Sequence, residues 1–493
     1  MGIALGLSPM LVVGIGALLL MLVEAFSKRP GGLALGAAIV LFAGATFSGA
    51  VWMYGLAGLE DVSRLKPWLI IDHFTLFFDA VLCLGGGLAA LLAGGYLPEH
   101  QIDRGEFYSL LLFATLGAMV LVAAGDALTL FLGLETMSIG AYALTAFRRS
   151  SPRSIEGALK YFLLGAFAVA LLLYGFALLY GSTGHTDLAG IGAAVHGGAA
   201  HNPMLVVGAV LVLVGIVFKV SAVPFHAWTP DAYEGAPTPT TSFMAVAVKA
   251  AAFAMLLRVL GLAFGDAAWT SWASGWPPIM ATLAVLTMSV ANLIAGRQES
   301  VKRMLAYSSI AHAGYVLVAV TSMMRDQAQG GGAVLFYLLT YTVSTAGAFG
   351  ALILCGSRGR EAVTYDDLSG LGKRHPAAAL AFSLFLLSLA GIPPTAGFFG
   401  KWFVFRAAID GGLYWLAIVA FVNSVVAAYY YLRVLVYMYM REPAAGAPVA
   451  VPMRSTYVAA ALVLSALLVL ALGVLPSRSL DFAVTAASSF TGG

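Results

Sequence analysis

The chain has 493 residues, 61% of them hydrophobic and only 10% charged, with a mean hydropathy of +0.92. A soluble domain carries about 25% charged residues, so this sequence cannot cover a water-facing surface, and a soluble domain, a disordered tail and a disulfide scaffold are all excluded. The net charge of +3 forms no basic block, which excludes a nucleic-acid binder. Cys83 and Cys355 both lie inside apolar runs, leaving neither a disulfide framework nor a cysteine-based metal site.

At about 20 residues per crossing the length accommodates about fourteen spans. Apolar runs of helical length lie at approximately 7–26, 33–54, 74–95, 107–124, 127–147, 155–180, 204–223, 239–265, 277–297, 300–323, 330–356, 376–411, 413–440 and 456–475. The first run lacks a basic leader and continues into Glu24 and Lys28, so it reads as a span and not as a cleavable signal. None alternates every second residue as barrel strands do. The expected fold is an all-α integral membrane protein.

Positive residues give the orientation. Loops after odd-numbered spans hold Lys28, Arg29, Arg104, Arg148, Arg149, Arg153, Arg297, Lys302, Arg303, Arg358, Arg360, Lys373, Arg374, Arg441 and Arg454. The other side holds Arg64, Lys66, Arg325 and Arg478, so the count is 15 against 4. Odd-numbered loops are therefore expected in the cytoplasm, with both termini outside.

Two spans are interrupted. The seventh carries Pro224 within KVSAVPFHAW, followed by the loop-like TPDAYEGAPTPT; the twelfth carries Pro393, Pro394 and Gly397 within LAGIPPTAGFFGKW. Proline removes a backbone hydrogen bond, and broken backbone at membrane depth survives only beside protein or a water-filled cavity. The breaks are five spans apart. Repeats of five helices, spans 4–8 and 9–13, would therefore insert in opposite senses, as in transporters whose broken helices mark the ion site. Two unrelated kinks are the plainer alternative.

Charges at membrane depth are costly and by default functional. Glu135 lies nine residues past Asp126, about 13–14 Å down, too deep for a glutamate to reach the interface. Lys219 precedes the first break, whose freed carbonyls and helix C-terminus favour an ammonium. Paired with Glu135, it would form a proton site sensitive to its neighbours. Lys249 lies mid-span among small residues in AVAVKAAAFAM, and Lys401 follows the second break, flanked by Phe398, Phe399 and Trp402. His312 lies mid-depth in SSIAHAGY and His226 two residues past Pro224; either could relay protons, though a buried histidine is often only a hydrogen-bonded core residue. Lys160 could equally snorkel to the cytoplasm from beside Arg153. Asp79 is expected to be half-buried without a partner, while Glu24, Arg258, Arg406 and Arg433 read as structural charges near helix ends. A lysine-rich axis suits protons, not a metal cation, and no phosphate loop, dinucleotide fingerprint or haem ligand pattern is present.

GDALTLFLGLETMSIGAYAL, ALKYFLLGAFAVALLLYGFALLYGSTG, FKVSAVPFHAWTPDAYEGAPTP, NLIAGRQESVKRMLAYSSIAHAGY and LAGIPPTAGFFGKW, in that order from about residue 70 to 440, resemble the antiporter-like subunits of respiratory complex I. The N-type branch fits best: the chain has no residues for the long lateral helix of L-type members, and Lys401 stands where M-type members generally carry glutamate. The resemblance implies fourteen helices arranged as an N-terminal segment over 1–106, inverted repeats over 107–265 and 277–440, and a last helix and tail over 441–493. It implies that Glu135 pairs with Lys219, that Lys249 connects the halves and that Lys401 ends the path; His226 and His312 match positions on the same axis, and Lys160 matches a sixth-helix lysine. The halves are not chemically equivalent, since Lys219 precedes its proline, Lys401 follows its prolines, and span 13 offers Asn423 and Tyr429–Tyr431 in place of a lysine.

In function, the resemblance implies a proton-translocating subunit of NADH:quinone oxidoreductase in the bacterial inner membrane. It would hold no cofactor itself, with FMN and iron-sulfur clusters in partner subunits and NADH and quinone bound elsewhere. Its neighbours would be the antiporter-like subunit M, the small subunits K and J, the peripheral arm and membrane lipids. A subunit of a multisubunit Na⁺/H⁺ antiporter, or a structural membrane-arm subunit without a proton path, are the alternatives.

Overall fold

The computed structural model describes residues 2–26, 32–55, 60–197, 202–356, 359–443 and 449–490. Lys28, Arg29 and Arg358, used in the orientation count, lie outside the described residues. Thirteen helices among the described residues are long and apolar enough to cross a membrane. They are α1 (Ser8–Phe26), α2 (Leu33–Tyr54), α3 (His73–Glu99), α4 (Glu106–Ala123), α5 (Ala127–Thr145), α6 (Pro152–Thr183), α7a (Pro203–Val220), α8 (Thr238–Ala263), α9 (Pro277–Ala295), α10 (Val301–Ser322), α11 (Gln327–Cys355), α13 (Tyr414–Met440) and α14 (Thr456–Val474). A fourteenth crossing is made by α12a (Pro376–Ala390) and α12b (Ala396–Asp410), each 15 residues and short of a full span.

Helix starts follow local chemistry. Asp72, Asp126, Ser151, Asn202, Ser300, Asp326 and Ser455 each accept a hydrogen bond from an amide in the first turn of α3, α5, α6, α7a, α10, α11 and α14. That is how two residues, Gly125 and Asp126, suffice to separate α4 from α5. The helices pack antiparallel, with Gly140 so close to α4 that a Cβ there would lie 2.8 Å from that of Ala114.

Helices α3, α8, α10 and α11 form the centre and are almost wholly buried, whereas α1, α6, α13 and α14 turn much of their apolar surface outward. Packing repeats along the chain: α4 lies along α5 as α9 lies along α10, and α6 flanks α7a as α11 flanks α12b. The two breaks are alike in backbone. At the first, Ser221 takes the left-handed conformation (φ 65°) and the Ala222 amide donates to Val217 O at 3.1 Å. At the second, Gly391 does the same (φ 88°) and the Ile392 amide donates to Leu387 O at 3.0 Å. Both close the last turn with the same left-handed cap, which satisfies carbonyls that lipid cannot.

Three features differ from the sequence expectation. The segment that reads as a loop after Pro224 contains a helix, α7b (Trp228–Gly235), which packs against α6 and α10. Beyond α14, where only a tail is expected, Pro476–Ser489 form an amphipathic helix, α15, whose Val484 and Ala487 lie on Gly331 and Gly332 of α11. Asp79 is fully buried, not half-buried, because its face of α3 points into the bundle.

Candidate functional site

Helices α7a, α8, α10 and α12b bury Lys219, Lys249, His312 and Lys401 inside the bundle, and α5 carries Glu135 half-buried. Lys219, at the last turn of α7a, donates to Ser138 Oγ at 2.8 Å and Tyr142 Oη at 3.4 Å, and lies 5.2 and 5.1 Å from the ring centres of Tyr142 and Tyr161. Glu135 sits half-buried on the preceding turn of α5, within electrostatic reach of this ammonium. The two are not in ion-pair contact among the described residues; the ammonium's hydrogen bonds go to Ser138 and Tyr142.

Lys249 follows a π-helical turn, Met244–Val248, in α8. Such turns recur at functional sites. Its Nζ donates to both Ser309 O (2.7 Å) and Ser309 Oγ (2.6 Å) on α10. One residue before, Ser308 is hydrogen-bonded to Tyr431 Oη, which lies 3.0 Å from His312 Nε2; His312 Nδ1 meets Tyr337 Oη at 2.6 Å. A cavity of about 10 Å³, enough for one water, lies against His312, Tyr337, Ser344 and Ser388. Lys401 donates to Ala390 O at the second break (2.8 Å) and to Ser424 Oγ (2.9 Å), and is 5.2 Å from the centre of the Tyr315 ring. Tyr315 in turn accepts from Asn292 Nδ2 at 3.2 Å, which also meets Asn423.

Lysines 219, 249 and 401 are all buried, and among the described residues none has a carboxylate in ion-pair contact. Their partners are hydroxyls and carbonyls. A buried ammonium without a counter-ion is costly, and these hydroxyls and carbonyls are what hold each lysine in place.

Two of the expected residues stand apart. Lys160 is 43% exposed and bridges Glu156 (2.6 Å) and Asp231 of α7b (2.7 Å), which also binds Arg303 at 2.9 Å. Glu156, Asp231 and Arg303 rim a polar cleft of about 320 Å³. His226 is half-buried at the first break, its Nδ1 without a hydrogen-bond partner among the described residues. Of the charges read as structural, Arg258 is fully buried and holds Asp72 through two bonds, at 2.6 and 2.8 Å, over the Phe74 ring. Arg433 caps Gly296 O at 3.1 Å, and Arg406 is exposed beside Asp410.

The residues that tie the row together, Ser138, Tyr142, Ser308, Ser309, Tyr337 and Tyr431, are not evident from charge. Ser138 and Ser309 had a signal: each lies about one turn from an ionisable residue at membrane depth on the same helix, Glu135 or His312. Among the described residues, no group of three or more His, Cys, Asp or Glu is placed to hold a metal ion.

An all-α bundle of inverted repeats with matched broken helices and a buried lysine row is an antiporter-like membrane subunit. The family model described as NADH:quinone oxidoreductase/Mrp antiporter matches residues 124–427. NADH-quinone oxidoreductase subunit N 1 of Sorangium cellulosum is 67% identical over 501 residues, covering 99% of each chain. A chain of respiratory complex I from Thermus thermophilus superposes with a TM-score of 0.76 at 35% identity, covering 96% of this chain and 98% of that one. A chain of an archaeal membrane-bound sulfane sulfur reductase superposes at 0.83 with 26% identity, covering 99% and 97%. This chain belongs to the NADH:quinone oxidoreductase/Mrp antiporter family, among its subunit N members.

Proposed function

We propose that this chain is a proton-translocating membrane-arm subunit of NADH:quinone oxidoreductase. Redox chemistry takes place in partner subunits, and the chain contributes a path for protons. The observation that carries the reading is the row of three buried lysines bonded only to neutral groups. Glu135 tunes Lys219, Lys249 joins the two halves through Ser309, and Lys401 ends the row; His312 links Lys249 to the second half through Tyr431 and Ser308. His226 lies in the first break as an accessory relay, and Lys160 acts at the rim through Asp231.

The repeats run over 107–265 and 277–440, flanked by 1–106 and 441–493, a division supported by the equivalent caps at Ser221 and Gly391. The charge asymmetry of the loops supports both termini in the periplasm of a bacterial inner membrane. Subunits M, K and J are the neighbours this reading supplies, with FMN, iron-sulfur clusters, NADH and quinone bound outside this chain.

The test is Lys249→Ala in the assembled complex. NADH-driven proton pumping in vesicles should fall severalfold, and unaltered pumping per electron would sink the role. Sodium–proton exchange by an assembly that does not oxidise NADH would move the chain to the antiporter branch.

A further inference from the structure

Glu361, in the loop between α11 and α12a, reaches back into the end of the bundle that the loop charges assign to the cytoplasm. Its side chain is 22% exposed, so it touches water yet is held by three helices. Tyr96 of α3 donates to it at 2.7 Å, Thr238 at the start of α8 donates to it, and the buried ammonium of Lys302 on α10 lies 3.4 Å away. Lys302 also donates to Ala236 O at 2.7 Å. His100, stacked on Tyr96 at 3.9 Å between ring centres, also faces the carboxylate, with the Arg148 guanidinium within electrostatic reach of both rings.

Behind this carboxylate a line of hydroxyls runs inward. Ser242 lies one helical turn past Thr238, and its Oγ is buried with no hydrogen-bond partner among the described residues. On the facing helix α11, Thr342 Oγ1 is buried and unpartnered in the same way, and Thr345 and Tyr341 are buried side by side. Tyr341 faces Ser309 as well as Thr345, and Ser309 holds Lys249. From Thr238 to Lys249 is eleven residues of α8, about 16 Å. Buried hydroxyls are almost always satisfied. Ser242 and Thr342, left open beside the Thr345–Tyr341–Ser309 contacts between a partly exposed carboxylate and a buried amine, mark a polar seam suited to bridging water.

We propose that Glu361 takes up protons at this face and passes them to Lys249 along the column of hydroxyls between α8 and α11. The proposal rests on the reading of Lys249 as a proton carrier and of this face as cytoplasmic. In the step, the Glu361 carboxylate accepts a proton from bulk water and becomes a neutral acid. The proton then hops through Thr238, Ser242, Thr345, Tyr341 and intervening water to the neutral Lys249 amine, and Glu361 is a carboxylate again. Lys302 favours the ionised form, so the neutral acid is short-lived and gives its proton onward.

The experiment uses the whole complex in inverted vesicles with Glu361→Gln, Glu361→Asp, Thr345→Val and Lys249→Ala. Glu361→Gln should lower pumping and coupled quinone reduction severalfold in an assembled complex, with Glu361→Asp recovering most of the rate. Formate, a small carrier of protons, should restore part of the Glu361→Gln rate, and Thr345→Val should slow pumping while the complex stays assembled. Full pumping in Glu361→Gln beside a defective Lys249→Ala would overturn the role of Glu361 and leave that of Lys249. A Glu361→Gln defect mended by neither aspartate nor formate would make the residue structural and equally overturn the proposal. Normal pumping in Lys249→Ala would instead remove the reading beneath it.

Discussion

Each buried lysine is set by neutral hydrogen-bond partners, and this makes the partners testable. Ser138 holds the Lys219 ammonium at 2.8 Å. Replacing it by alanine removes one acceptor and leaves the amine, so Ser138→Ala should lower pumping less than Lys219→Ala does. Tyr431 joins Ser308 to His312. Tyr431→Phe and His312→Gln cut the same link, so their combination should reduce pumping scarcely more than either alone, a non-additivity expected of residues acting in one network. Pumping rates of the two single variants and the double variant, at equal complex content, check this. Arg258 belongs to a different category. It is a buried cation with two bonds to Asp72, and Arg258→Met leaves that carboxylate unpaired. A loss of about 3–5 kcal/mol is expected, read as a lower unfolding temperature of the solubilised protein, with Lys219 and Lys249 untouched.

Elements decide where the lysines point. The break in the twelfth span depends on a residue with φ 88°, Gly391, and a Cβ there would lie 2.9 Å from Lys401 Cδ. Gly391→Ala therefore costs backbone strain of about 1–2 kcal/mol and also pushes the lysine aside. Gly184, at the end of α6, has φ 75° and nothing within 4 Å of the same position. Gly184→Ala meets the strain without the displacement. Both variants should lower the unfolding temperature comparably, and only Gly391→Ala should lower pumping.

The breaks themselves were legible because proline and glycine act locally, and the depth of Glu135, Lys219, Lys249 and Lys401 follows from counting residues along a helix. Helix α7b was not legible: TPDAYEGAPTPT carries three prolines and reads as a turn, and its helical part is fixed by packing on α6 and α10. Helix α15 was hidden for a similar reason. It is too polar to read as a span and gains its place from small residues that meet glycines of α11.

At the scale of the whole molecule, contacts distant in sequence close the bundle, and these are what single-sequence reading cannot see. Glu361 meets residues 265, 123 and 59 positions away, so nothing in its own loop distinguishes it from other surface acids. Burial alone would push its carboxyl up, but the Lys302 ammonium and the Thr238 and Tyr96 hydroxyls outweigh this and hold it below the ordinary 4.5. Because its folded value is depressed, the stability it contributes is fully present above about pH 4.5. That contribution is lost as pH falls through the folded value, where protonation leaves the buried Lys302 without its counter-ion. The unfolding temperature of the solubilised protein should therefore fall as pH drops below about 4.5. Glu361→Gln cannot undergo this change, so it should begin from a lower unfolding temperature at neutral pH and lose less on acidification. Parallel curves for the two proteins would show that acid acts elsewhere, and that the three helix ends are held together by something other than this carboxylate.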